Sequence, residues 1–272
     1  MRNLHELNIA NFPDGHKHLI LKKEDLGYYD LEEVAISIRS FDDLFLLAQL
    51  KQICPNLIRL QINYLLGARC DRQFSEGEAV DLQIIGKFLN SLKFKEINIL
   101  KPHSIRSLQY IDNSYEFTMT KDLLQQCIMD NNLIDYSIIS PDKGASQWIT
   151  KELGNEGIIQ CNKVREGGVV KSVTFTDTIK ETCIIVDDLC DGGATFIELA
   201  KELKAHGAKD VYLIVTHGIF SRGFNELEKY LTKIYFTNSF LDKDDITVNF
   251  GDISYSRQVK FIDNRLIQLK IK

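Results

Sequence analysis

Only four prolines occur in 272 residues, and no Ser/Gly-rich run separates one half of the chain from the other. The sequence therefore offers no obvious flexible tether, and closely packed domains are expected. No apolar stretch approaches the ~20 residues needed to span a bilayer; the longest, such as Phe45 to Leu50 and Cys183 to Val186, are far shorter. The start MRNLHELNIA lacks a signal-peptide pattern. A soluble, cytoplasmic protein with no membrane partner is expected. Positive charge is in deficit, 33 Lys and Arg against 38 Asp and Glu, for a net charge of −5. That balance argues against a dedicated nucleic-acid binder, whose phosphate contacts demand a basic field. The six cysteines (Cys54, Cys70, Cys127, Cys161, Cys183, Cys190) show no CxxC spacing and no clustered histidine. They suggest neither a zinc site nor a redox pair, and read as small buried hydrophobes.

What is present suits an ordinary folded protein: 44% hydrophobic and 26% charged residues support a sizeable core. The length fits two domains of roughly 130 residues each. Apolar runs rich in Ile, Val and Phe alternate with amphipathic helical stretches, the pattern of a parallel sheet covered by helices, so the class is α/β. The clearest unit runs from Glu181 to His217: strand TCIIVDD, turn LCDGGAT, helix FIELAKELKAHG, strand KDVYLIVTH. An earlier segment, RLQINYLLGARCDRQ through KEINILKPH, repeats the plan, which predicts two similar α/β domains. A fresh helix at DLLQQCIMDNN places their boundary near Met119 to Lys121, giving domains 1–120 and 121–272. After Phe220 the strands KIYFTNS and ITVNF follow, and the alternation VKFIDNRLIQLKI reads as a strand or hairpin closing an edge, of the neighbouring domain if the tail crosses over.

The most informative segment runs from Ile184 to Thr195. A buried strand ends in the adjacent carboxylates Asp187 and Asp188, and the small-residue turn Asp191-Gly192-Gly193-Ala194-Thr195 opens a helix. Open α/β sheets bind ligands at such strand ends. The two glycines let backbone N–H groups approach an anion, Thr195 adds a hydroxyl, and the helix dipole favours phosphate. Asp187 and Asp188 can accept hydrogen bonds from sugar hydroxyls. For an isolated DGG a simple tight turn is the better reading; the complete strand–DDxxDGGxT–helix order points to a phosphosugar site.

This segment resembles the phosphoribosyl-diphosphate signature of type I phosphoribosyltransferases and, more closely, of the ribose-phosphate pyrophosphokinases. The residues Thr216-His217-Gly218-Ile219-Phe220-Ser221 are similar to the pyrophosphokinase THG(I/L)FS sequence. Phe12-Pro13-Asp14-Gly15 resembles its FPDGE, Tyr64 to Arg72 its YxxYARQDR loop, and Ser140 to Gly144 its SPDxGG loop. Lys163-Val164-Arg165 resembles the KxR of its catalytic arm, and Thr237-Asn238-Ser239 its TNT or TNS segment. The ordered matches cover most of the chain from Phe12 onward.

The resemblance implies two phosphoribosyltransferase-like domains with mainly parallel sheets. It also implies transfer of the β,γ-diphosphoryl group of ATP to the anomeric hydroxyl of a ribose 5-phosphate moiety, with release of AMP. Attack at phosphorus concentrates negative charge, so Mg²⁺ and cationic side chains are needed more than a covalent nucleophile. On that resemblance Lys163, Arg165 and His103 are catalytic, and Gly167 and Gly168 let the arm close. Asp187, Asp188, Asp191, Gly192, Gly193, Ala194 and Thr195 bind the phosphorylated ribose acceptor. Phe12, Asp14, Arg69, Asp71 and Arg72 bind ATP, and His103 and Asp142 lie at the metal. Phe12 and Asp14 reach the adenine of a neighbouring subunit, so a homo-oligomer, at least a dimer, is implied.

Departures from the family pattern matter too. Lys101 replaces a carboxylate of the usual DLH triplet, removing one Mg²⁺ ligand, and can itself neutralise triphosphate charge. Cys70 stands in place of Gln, and His16 in place of Glu. Glycine at 192, where Thr is common, removes a side chain beside the 5-phosphate, so a larger acceptor such as ADP-ribose, a compound of NAD metabolism, could fit. Two alternatives stay open: a phosphoribosyltransferase, and a catalytically silent regulatory subunit associated with a synthetase.

Overall fold

The structure, a computed structural model, describes residues 8–21, 31–154, 157–166, 169–241 and 259–262; for 163–166, 169–172 and 259–262 only the backbone is described. The expected strand ITVNF, the tail beyond residue 262, and Gly167 and Gly168 lie outside the described residues. The chain forms two compact units that meet between Phe117 and Thr118.

The first unit opens with an antiparallel hairpin, β1 (Asn8–Asn11) and β2 (Lys17–Ile20). Its turn is the Phe12–Gly15 segment, where Gly15 takes φ 89° and the Asp14 carboxylate accepts the His16 N–H at 3.0 Å. A four-stranded parallel sheet follows, in the order β3 (Glu33–Ile38), β4 (Arg59–Leu65), β5 (Glu96–Leu100), β6 (Ser114–Phe117). Its crossovers contain α1 (Phe41–Ile53), α2 (Asp81–Ser91) and the one-turn α3 (Ser107–Tyr110). Helix α1 starts where Ser40 and Asp43 cap each other, the Ser40 hydroxyl accepting the Asp43 N–H and the Asp43 carboxylate accepting the Ser40 N–H. Leu44, Leu47 and Leu50 of α1 and Leu82, Ile85 and Leu89 of α2 are buried with Val34, Ile36, Leu60, Ile62, Ile97 and Ile99 in one core. Alternate strand residues thus face one helical layer, and each fully buried Leu or Ile contributes about 1.5–3 kcal/mol. The intervening residues turn the other way and include a buried polar pair, Gln61 donating to Asn63 at 2.7 Å.

The second unit comprises α4 (Thr120–Asn131), β7 (Ser137–Ser140), α5 (Lys143–Leu153), β8 (Ile158–Glu166), β9 (Val169–Phe175), β10 (Thr182–Cys190), α6 (Ala194–Ala205), β11 (Asp210–Gly218), the one-turn α7 (Asn225–Glu228), β12 (Lys233–Thr237) and β13 (Val259–Ile262). The sheet order is β13-β12-β11-β10-β7-β8-β9, parallel throughout except for the β8–β9 hairpin. The start of the terminal alternation therefore pairs in parallel with β12 of this sheet.

Cores lie on both faces. Cys183, Ile185, Val211 and Leu213 pack with Phe196, Leu199 and Leu203 of α6, whereas Ile184, Val186, Tyr212 and Ile214 pack with Leu123 and Cys127 of α4 and Ile149 of α5. A strand buried on both faces needs the unbroken apolar run CIIV, which β10 has. Five cysteines are buried as expected and Cys70 is exposed; burial pushes the Cys183 thiol up to about 11 and Cys127 to about 12. No helix among the described residues is long and apolar enough to cross a membrane.

The carboxyl end of β11 is held by aromatic packing that leaves no room for a side chain at Gly218: a β-carbon there would stand 2.2 Å from the Phe220 ring and 2.7 Å from that of Phe236. Gly218→Ala should therefore lower the unfolding free energy by about 1–3 kcal/mol in urea titrations. An unchanged midpoint would show that this corner is loosely packed.

Candidate functional site

The strand order of the second unit fixes where a ligand can bind. From β7 the chain crosses through α5 to β8 on one side, and from β10 it crosses through α6 to β11 on the other, although β7 and β10 are neighbours. The loops leaving their carboxyl ends diverge, and the crevice between them is the switch point where open α/β sheets take ligands.

Asp187 and Asp188 close β10 at this crevice, Asp188 buried and Asp187 half-buried. The Asp187 carboxylate accepts the Asp188 N–H at 2.9 Å. Asp142 follows β7 and caps α5, its carboxylate accepting the Ala145 N–H at 2.8 Å. Burial pushes the Asp187 carboxyl well above the usual carboxylate range, and the negative charges of Asp188 and Asp142 push it further. Three carboxylates therefore share one region of the crevice.

Helix α6 opens beside them without a side-chain cap: its N-cap is Gly193 in the left-handed region (φ 78°), and its first turn carries no acidic residue. Two constraints require glycine there, the backbone angle and the Leu227 side chain 2.9 Å from where a β-carbon would stand. Asp191 accepts a hydrogen bond from the Ser221 hydroxyl at 2.6 Å, tying this turn to the loop after β11. His217, buried in β11, contacts the Ser239 hydroxyl at 2.8 Å and braces the same end of the sheet. The space over Gly192 is not an open gap: a β-carbon there would lie 3.3 Å from both Cδ and Nε of Arg222. The removed side chain has been replaced in space by that arginine. Neither Ser221 as a tie nor Arg222 was singled out from sequence; THGIFS contains the serine, but nothing in the pattern places either against the β10 turn.

The backbone of Lys163 and Arg165 belongs to β8, opposite Val173 and Val170 in the β8–β9 hairpin. The β-branched run on β9 supplies the strand propensity that the polar KVRE stretch conceals. Their side chains lie outside the described residues.

In the first unit, Asp71 organises the segments that follow β4 and β5. Its buried carboxylate takes a two-bond fork from Arg72, 2.8 Å each, and a 2.5 Å hydrogen bond from Ser104, with Arg106 at 3.8 Å. The Arg72 and Ser104 hydrogen bonds, opposed in part by burial, hold its carboxyl down at about 2. Asp71 is thus a positioning residue, its oxygens committed inside the unit, whereas Arg69 is exposed on the same loop. The roles of Ser104 and Arg106 were not legible in sequence, because the pairing joins residues 33 positions apart. His103 is exposed just beyond β5. Lys101, buried with φ 36°, lies 3.5 Å from Glu116. Phe12 is half exposed at the hairpin turn and stacks on His16, with ring centroids 5.4 Å apart. Among the described residues no group of three or more His, Cys, Asp or Glu side chains is arranged to hold a metal ion by itself.

Residues 163–248 match the family described as phosphoribosyl synthetase-associated domain. A ribose-phosphate pyrophosphokinase of Pyrococcus abyssi is 27% identical over 249 residues, covering 87% of this chain and 85% of the relative. One from Sulfolobus acidocaldarius is 24% identical over 261 residues, covering 90% and 88%. The fold is similar to the crystal structure of phosphoribosylpyrophosphate synthetase from Mycobacterium smegmatis, with TM-score 0.75, 19% identity and coverage of 94% of this chain and 85% of that one. With a parallel sheet whose switch point carries the DDxxDGGxT turn, and with relatives of one name matched over most of their length, this chain is similar to the ribose-phosphate pyrophosphokinases.

Proposed function

We propose that the chain is a Mg²⁺-dependent pyrophosphokinase of the cytoplasm. It transfers the β,γ-diphosphoryl group of ATP to the anomeric hydroxyl of ribose 5-phosphate or of a 5-substituted form such as ADP-ribose. The anomeric oxygen bonds to the β-phosphorus, the bond from that phosphorus to the oxygen of the α-phosphate breaks, AMP leaves, and the hydroxyl proton is released. The observation that carries this reading is the pairing, at one switch point, of a carboxylate cluster (Asp142, Asp187, Asp188) with the uncapped N-terminus of α6. Such a site suits a molecule that is anionic at one end and rich in hydroxyls at the other.

In this reading Asp187 and Asp188 accept hydrogen bonds from the ribose hydroxyls, and Asp191 to Thr195 receive the 5-phosphate through backbone N–H groups. Lys163 and Arg165 neutralise charge on the transferring group. Arg69, fixed on the loop that Asp71 and Arg72 organise, meets the ATP phosphates, and Phe12 and Asp14 meet the adenine of a second copy in a homo-oligomer. Asp142 at the crevice would hold Mg²⁺ in the mode where the ion takes most ligands from phosphates and water. When bound, Mg²⁺ supplies charge stabilisation to the triphosphate.

Pure protein incubated with ATP, Mg²⁺ and each acceptor should yield AMP and a diphosphorylated product, identified by mass spectrometry. The Asp187→Asn, Asp188→Asn double variant should lose acceptor binding and keep ATP binding. Lys163→Ala and Arg165→Ala should each lower kcat by about 100-fold. Normal turnover in both sets would sink the assignment.

The raised carboxyl of Asp187 also predicts a conflict between function and stability. A carboxyl held above its unfolded value binds its proton more tightly in the folded state, so its contribution is fully present below about pH 4 and is lost as pH rises through the folded value. Asp187→Asn should therefore be more stable than wild type at pH 7, with the advantage disappearing in acid. Urea midpoints measured from pH 4 to pH 8 test this; a variant less stable at pH 7 would show that the carboxylate is relieved within the fold.

A further inference from the structure

The loop after β11 delivers a cation to the phosphate turn. Phe220 is fully buried, with φ 47°, and its ring lies 4.5 Å from Phe224 and 4.9 Å from Phe236, centroid to centroid. Ser221 is then tied to Asp191. The backbone entering Arg222 is therefore anchored twice, by an aromatic plug at Phe220 and by the Ser221 hydrogen bond to the turn itself. From that anchor the exposed Arg222 side chain runs over Gly192, Cδ and Nε each 3.3 Å from where a β-carbon would be.

The placement sets a cation beside a helix N-terminus. The N-terminus of α6 is the positive end of its dipole, its first-turn N–H groups have no side-chain cap, and no acid stands in its first turn. Among the described residues Arg222 makes no ion pair. A guanidinium held beside uncapped N–H donors becomes favourable when a shared anion offsets both charges, and its fork of donors matches phosphate oxygens.

We propose that Arg222 binds the 5-phosphoryl group of the acceptor and helps set which 5-substituent is accepted. This rests on the pyrophosphokinase reading above and adds to it a residue outside the DDxxDGGxT turn. Glycine at 192 is then required because its missing side chain admits the arginine. The ligand chemistry is a phosphoryl group on O5 of ribose, either terminal, as in ribose 5-phosphate, or inside a diphosphate, as in ADP-ribose.

The test compares wild type with Arg222→Ala, Arg222→Lys and Gly192→Thr. Binding of each acceptor is measured by calorimetry without ATP, and kcat and KM are measured with ATP and Mg²⁺. Loss of one charge-assisted contact predicts a rise of about 10-fold or more in Kd and KM in Arg222→Ala, with kcat at saturating acceptor much less affected. Arg222→Lys should recover part of the affinity, since it keeps the charge without the fork. Gly192→Thr should imitate the alanine variant by displacing the arginine. Equal losses on both acceptors place the contact at the 5-phosphoryl group they share; a loss confined to ADP-ribose would overturn the proposal by placing the contact at the second phosphate. Unchanged affinity for both, or tighter binding of ADP-ribose alone in Arg222→Ala, would overturn the proposal, the latter by making the side chain a steric barrier. A wild type that binds both acceptors normally but gives no AMP would sink the pyrophosphokinase reading and leave the Arg222 contact standing. One that binds neither acceptor sinks both.

Discussion

Parallel pairing of β10 with β11 on one side and β7 on the other constrains the rest of the second unit. Parallel neighbours cannot be joined by tight turns, so each connection leaves the sheet and returns through a crossover. Because the crossovers through α5 and α6 lead to opposite sides of the β7–β10 pair, no connection fills the space between the two strand ends. The helices that follow aim their N-termini at the same place. One of them, α5, is capped by Asp142; the other, α6, is left uncapped by Gly193. The candidate site follows from that asymmetry and from two further carboxylates on β10.

The site holds charge that the fold alone would not choose. Asp187 is buried beside Asp188 and near Asp142, and its proton affinity rises in consequence. A short distance along the chain, Arg222 sits over Gly192 at the positive end of a helix. Acids gather at the end of β10, and one cation lies beside the uncapped N–H groups at the start of α6.

The first unit handles charge differently. Asp71 is buried but satisfied, with a fork from Arg72, a hydroxyl from Ser104 and a nearby Arg106. Its lowered proton affinity marks a structural clasp between two loops, the reverse of the raised affinity at Asp187. The opposite directions separate a carboxylate satisfied by cations and a hydroxyl from one buried beside other carboxylates. Lys101 is likewise buried within the unit, its ammonium group lying 3.5 Å from Glu116.

The periodicity of the sequence by itself determined the α/β class, because apolar runs such as CIIV survive only between two helical layers, and the order strand–DDxxDGGxT–helix determined where the turn between β10 and α6 lies. Local backbone rules made that much legible: a glycine at a left-handed N-cap and a serine capping box need only neighbouring residues. The tertiary structure alone decided which side chains meet across loops. Ser221 on Asp191, Arg222 over Gly192, and Ser104 on Asp71 join residues about 30 or more positions apart, and no spacing rule encodes those distances. The strand character of the KVRE stretch likewise comes from the valines of β9 with which it pairs. Space vacated by one residue can be filled by another that is remote in sequence, and a chain read residue by residue does not show this, because close packing is a property of volumes and not of order along the chain.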